Sequence, residues 1–222
     1  MTIQSIYTAW LSTALFVVLL GLLLISSASF SYAASDKELY DKNWKEGEAF
    51  SEQGKWEKAV VSFTNAIKYF PKLPANYGFY VNRGNAYSML GKLDLALADY
   101  KKALDSFPNK GAMELGEVYY NRGEAYNRNG KPELAILDYE KAITIDGEIK
   151  SVHNKLAWLL ATNSNDKIRD GKKAVEHALI ACKQDDNKNP NHLDTLAAAY
   201  AENGDFTNVS AMSRKSVPHA VE

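Results

Sequence analysis

A small residue followed three positions later by a large apolar one recurs five times along this chain, and that recurrence limits the fold more than any other feature. The pairs are Gly47 with Phe50, Gly84 with Tyr87, Gly123 with Tyr126, Ala157 with Leu160 and Ala197 with Tyr200. A spacing of three puts both members on one helical face. Gly54, Gly91, Gly130 and Gly204 follow four of these pairs, and glycine suits the left-handed position that ends a helix. A second helical stripe comes after the stop: Ala59, Phe63 and Ala66, then Ala96, Tyr100 and Ala103, then Ala135, Tyr139 and Ala142. Its spacing of four and three is again helical. Pro71, Pro108 and Gly147 close these copies. The chain therefore reads as an array of helix pairs, and two copies carry nearly the same word, NRGNAY from Asn82 and NRGEAY from Asn121.

These offsets resemble the tetratricopeptide repeat, whose signature runs W-x2-L-G-x2-Y, then A-x3-F, then P. Tyr80-x2-Arg83-Gly84-x2-Tyr87 answers it, followed by Ala96, Tyr100, Ala103 and Pro108. Another copy reads Tyr119-x2-Arg122-Gly123-x2-Tyr126, then Ala135, Tyr139 and Ala142, while the first has Asn43 at the leading aromatic position with Trp44 beside it. From Asn154 onward, NKLAWLLAT, IRDGKKAVEHALIAC and HLDTLAAAYAENGDF resemble a C-terminal arrangement common in bacterial proteins of this kind. The resemblance implies an all-α, right-handed superhelical solenoid. Three repeats would fill residues 36–147, and two divergent repeats with a polar cap near Thr207 to Ser216 would fill residues 148–222. Extra residues between copies fall in KLPANYG, NKGAMELGEV and NSNDKIRD, which read as turns.

Residues 1–35 contain no Asp, Glu, Lys or Arg. Ala14 to Ile25 has the length of a signal-peptide core, with small residues after it for cleavage, yet Ile6 to Ile25 is also long enough to cross a bilayer as a retained anchor. Either way the folded part is expected outside the cytoplasm, with membrane association through residues 6–25 if the segment is kept.

With 26 basic residues against 27 acidic ones, the chain has no positive excess for a phosphate backbone, so nucleic acid is not the expected partner. The single cysteine, Cys182, rules out an internal disulfide framework. His153, His177, His192 and His219 lack metal-ligand spacing, and no nucleophile, phosphate-loop or zinc motif occurs. No metal, cofactor or catalytic residue is expected, and the chain is read as a non-enzyme. The alternatives are an accessory or degenerate envelope enzyme built around the Asn163–Asp170 loop, and a structural oligomer.

Gly47, Gly84 and Gly123 are read as structural, allowing each first helix to cross its own second helix closely. Arg83 and Arg122 stand where the family has an apolar residue, and only these two copies carry aspartate before the second-helix tyrosine, at Asp99 and Asp138. Their co-occurrence predicts an ion pair between the two helices. In the family the first helices line a concave face that binds another protein. Carried onto this sequence, that groove is expected at Trp44, Glu48, Val81, Asn85, Ser88, Tyr120, Glu124, Asn127, Arg128, Asn154 and Trp158. Trp44 and Glu48 replace the lysine and asparagine of the carboxylate-clamp subset, so an acidic chaperone tail is not the expected ligand.

Overall fold

The computed structural model describes residues 36–69, 77–106, 113–149 and 151–209. The expectations for residues 1–35, for Pro71 and Pro108, and for the cap beyond residue 209 lie outside the described residues.

The chain forms α1 (36–52), α2 (Trp56–Tyr69), α3 (Tyr77–Met89), α4 (Leu93–Asp105), α5 (Met113–Arg128), α6 (Pro132–Ile145), α7 (Val152–Thr162), α8 (Gly171–Gln184), α9 (Pro190–Glu202) and a short α10 from residue 206. No strand occurs among the described residues. From α2 to α9 each helix packs on its neighbour in the chain, and α3 also meets α5 as α7 meets α9. That nearest-neighbour pattern is a solenoid.

The turn inside each pair is made the same way four times. Gly54, Gly91, Gly130 and Gly204 have φ of +68°, +69°, +69° and +76°, where a side chain would be strained. The next residue's amide then reaches back to the first helix: Lys55 N donates to Phe50 O at 2.8 Å, Lys92 N to Tyr87 O at 2.9 Å, Lys131 N to Tyr126 O at 3.0 Å and Asp205 N to Tyr200 O at 2.9 Å. The Gly-Lys pairs are therefore helix stops.

Close helix crossing is set by an aromatic ring lying where a glycine Cβ would be. A Cβ on Gly47 would sit 2.5 Å from Phe63 Cε1, one on Gly84 would sit 3.0 Å from Tyr100 Cε1, and one on Gly123 would sit 2.8 Å from Tyr139 Cε1. Phe63, Tyr100 and Tyr139 are fully buried, so the ring has little room to yield. In the fourth pair the register equivalents are Ala157 and Ala178, both fully buried in one core cluster. The small-against-large arrangement of the first three pairs becomes small against small.

Two expectations are corrected. NKGAMELGEV is not all turn, because α5 begins at Met113 and buries Val118 completely, while Gly116 lets that first turn close on Ile149 and Asp146. Likewise Tyr77 and Gly78 of KLPANYG belong to α3. The Asn163–Asp170 loop is pinned on both sides. Asp170 N donates to Leu160 O at 3.0 Å, Ile168 is buried, and Arg169 reaches Glu202 at the end of α9 at 3.0 Å.

The α7–α8 pair holds a histidine couple, His153 Nδ1 lying 2.9 Å from His177 Nδ1, with His153 buried. One ring must accept, so at least one is neutral. Burial pushes both rings below the ordinary histidine value. The charge of His177 adds to this at His153 against the Gly147 backbone and Glu148, and at His177 Glu176 opposes the shift while Lys173 assists it. As pH falls below about 6.5 the unfolded chain takes up protons before the folded one does. The stability is complete above that pH and is lost as pH falls through the lower folded values, by at most about 1.4 kcal/mol per pH unit for each proton bound only by the unfolded chain. Thermal melts between pH 7.5 and 5.0 are expected to show this decline, and His177→Gln is expected to flatten it.

Candidate functional concave groove

A cavity of about 520 Å³ opens on the side formed by the first helix of each pair. Glu48, Ser51 and Glu52 come from α1, Asn82, Asn85, Ser88 and Met89 from α3, and Tyr120, Asn121, Glu124 and Arg128 from α5. Helical geometry explains the selection, since spacings of three, four and seven keep residues on one face. Trp56, Phe63 and Tyr100 of the second helices close the floor.

Part of this wall is fixed by the fold. Tyr100 Oη donates to Asn85 Oδ1 at 2.7 Å, and the equivalent Tyr139 hydroxyl donates to Glu124. Glu124 also meets Lys155 at 2.9 Å and Arg128 at 3.7 Å, and Arg128 contacts the Met89 sulfur. The first pair has no counterpart, because Phe63 replaces the tyrosine and Glu48 stands opposite without a hydroxyl.

Of the residues expected in the groove, Glu48, Asn85, Ser88, Tyr120, Glu124 and Arg128 line this cavity. Val81 and Trp44 do not, and for both the expectation is corrected. Val81 is buried in the core with Ala96, Tyr100 and Val118. Trp44 packs edge-on against Phe79 with ring centroids 4.4 Å apart and against Phe63 at 5.9 Å. Both hold the same repeat position, which in these two copies packs on the first helix of the next repeat, whereas Tyr120 at that position in the third copy lines the cavity. Asn127, Asn154 and Trp158 lie outside the lining. The Asn154 Oδ1 is buried, and Trp158 is half exposed.

The residues missed are Ser51, Glu52, Trp56, Phe63, Asn82, Met89, Tyr100 and Asn121. Asn82 and Asn121 carried a signal, being the repeated first letter of NRGNAY and NRGEAY. The arginine and glycine that follow build the crossing. Arg83 Nε and Nη2 donate to Asp99 at 2.7 and 2.8 Å, and Arg122 makes the same bidentate pair with Asp138 at 2.7 Å for both bonds. Burial alone would push the Arg83 guanidinium down, but the hydrogen bonds and charge of Asp99 hold it above its ordinary value. For Arg122 the hydrogen bonds from Asp138 are the largest cause of the same rise.

Among the described residues no three His, Cys, Asp or Glu side chains converge as metal ligands, and no helix is long and apolar enough to cross a membrane.

Models of the tetratricopeptide repeat match residues 44–72, 79–110 and 116–148. No curated protein matches this sequence. Several solved structures share the fold. BtubC (BKLC) from P. vanneervenii is 19% identical, with a TM-score of 0.64 over 84% of this chain and 88% of that one. MamA is 18% identical, with a TM-score of 0.61 over 81% and 91%. YrrB, described as a TPR protein with an unusual peptide-binding site, is 17% identical, with a TM-score of 0.55 over 77% and 80%. Repeats of this kind generally serve as protein-interaction scaffolds. Three stretches between residues 44 and 148 thus match the tetratricopeptide repeat, and the later helix pairs stack on them in the same way, so the described residues form an α-solenoid.

Proposed function

We propose that this chain is a non-catalytic scaffold, exported from the cytoplasm, whose concave groove holds an extended peptide or a helix of another protein. The supporting observation is a cavity walled by three successive first helices and lined by amides, hydroxyls and a few aromatics. Such a surface suits main-chain and side-chain hydrogen bonding with a small number of anchors. A photo-cross-linking residue at Ser88 is expected to give a discrete adduct in the native compartment, weakened by Asn82→Ala with Asn121→Ala. The same probe at Lys141, exposed on the second helix α6, is expected to give none. Equal adducts from both positions would remove the groove assignment. Export is tested separately by protease accessibility of the repeats in intact and permeabilised cells.

A second reading has one observation behind it. Val61 and Leu137 hold the same position on second helices of different repeats and are 59% and 61% exposed, with the smaller Ala98 exposed at that position between them. Leu95 and Leu134, three residues before Ala98 and Leu137, are exposed as well. A regular apolar row of this kind favours self-assembly through the outer surface, which sedimentation velocity of Val61→Lys with Leu137→Lys would show as a loss of oligomer.

A further inference from the structure

The charge along the groove is uneven. At the α5 end the carboxylate of Glu124 is already neutralised by Lys155 and Arg128 and accepts the Tyr139 hydroxyl. At the α1 end Glu48 and Glu52 are exposed and line the same cavity, and among the described residues neither takes part in an ion pair or side-chain hydrogen bond. Of the lysines close in sequence, Lys55 meets Gln53 at 2.7 Å and Lys58 lies over the Phe50 ring at 5.6 Å, while Lys45, three residues before Glu48, is exposed and forms no ion pair with it. Trp56 lines the cavity beside them. Two unneutralised carboxylates next to an indole are the surroundings that a cationic side chain prefers.

Polar side chains also face the cavity. Ser88 is 8% exposed, lines the cavity and makes no side-chain hydrogen bond within the chain. Asn82, about one and two-thirds turns away on the same helix, presents an amide to the same space.

We infer that the groove selects an extended peptide bearing a lysine or arginine, whose cationic head lies at the α1 end among Glu48, Glu52 and Trp56 while its main chain runs past Asn82 and Ser88. This rests on the groove reading above and adds the chemistry of the partner. The charges fix where the basic residue lies, because the Arg128 end offers no free carboxylate.

The test uses a random twelve-residue peptide library displayed on phage and selected on the purified full chain in mild detergent. Selected sequences are then measured as fluorescent peptides by anisotropy. Lysine or arginine is expected in them, and Glu48→Gln with Glu52→Gln is expected to weaken binding about fivefold to tenfold. Replacing the peptide's basic residue by alanine is expected to weaken binding to the native chain by the same factor and to have little effect on the double variant. Both substituted positions are exposed, so circular dichroism is expected to show an unchanged fold. Peptides that depend on Asn82 and Asn121 but ignore the glutamates overturn the cationic inference and leave the groove reading standing. Peptides indifferent to Asn82→Ala, Asn121→Ala and the glutamate changes alike overturn both.

Discussion

Asp99→Leu is expected to destabilise the α3–α4 pair by about 3–5 kcal/mol, and adding Arg83→Leu is expected to recover most of that loss. The single change leaves a guanidinium whose side chain is only 12% exposed without its bidentate acceptor. Among the described residues Thr64 Oγ1 at 3.0 Å is the one remaining hydrogen-bond acceptor, with the Tyr80 and Tyr87 rings at 5.7 and 5.9 Å beside it. Neither neutralises a buried charge. Removing both partners instead leaves two apolar side chains at a helix crossing, which proteins tolerate well. Urea unfolding followed by helical circular dichroism measures the four corners of the cycle. Additive single effects would show that the two groups are not coupled. The same cycle on Arg122 and Asp138 is expected to give a smaller coupling, because the Arg122 side chain is 23% exposed and water screens it more.

The pair also explains how far the sequence could be read. Arginine and aspartate occur together in two copies, whereas the first and fourth have Glu46 with Ser62 and Leu156 with His177, and a contact across sixteen residues leaves that trace when the copies are aligned. Helix pairs and glycine stops were legible for a similar reason, since a physical need repeated at each copy is visible as a repeated letter. What was not legible depends on rotation about a helix axis. One residue is about 100° of turn, so a register shifted by one exchanges a groove position for an inter-repeat one. Val81 and Trp44 were placed in the groove, but they pack towards Val118 and Phe79 on the following first helix. In the second copy the face that opens to the cavity starts one residue later, at Asn82, whereas in the third it already includes Tyr120 beside Asn121. Nor does a turn-like composition fix a helix start. The residues Met-Glu-Leu-Gly-Glu before Val118 are helical because burying Val118 against the preceding repeat outweighs a local preference for irregular chain.

The crossing between α5 and α6 gives the second large effect. Gly123→Ala places a methyl group 2.8 Å from Tyr139 Cε1 and 3.3 Å from the Ala135 carbonyl oxygen. Overpacking of this kind costs about 1–3 kcal/mol, against which alanine returns about 1 kcal/mol of helix propensity. The expected net loss is up to about 2 kcal/mol. Tyr139→Ala alone removes a fully buried ring, and is expected to cost about 3–5 kcal/mol. In the Gly123→Ala background that second cost is expected to fall by about 1–3 kcal/mol, because the clash goes with the ring and the new methyl fills part of the space. The α7–α8 pair already stands in this state, with Ala157 and Ala178 in place of glycine and ring. Losing Tyr139 also removes the hydroxyl that holds Glu124, leaving Lys155 and Arg128 as its partners in the groove wall. The double variant should therefore be more stable than the sum of its parts predicts, yet hold Glu124 less firmly. Strictly additive midpoint shifts in urea would mean that the ring and the missing Cβ do not share one space, and that the glycines serve something other than this crossing.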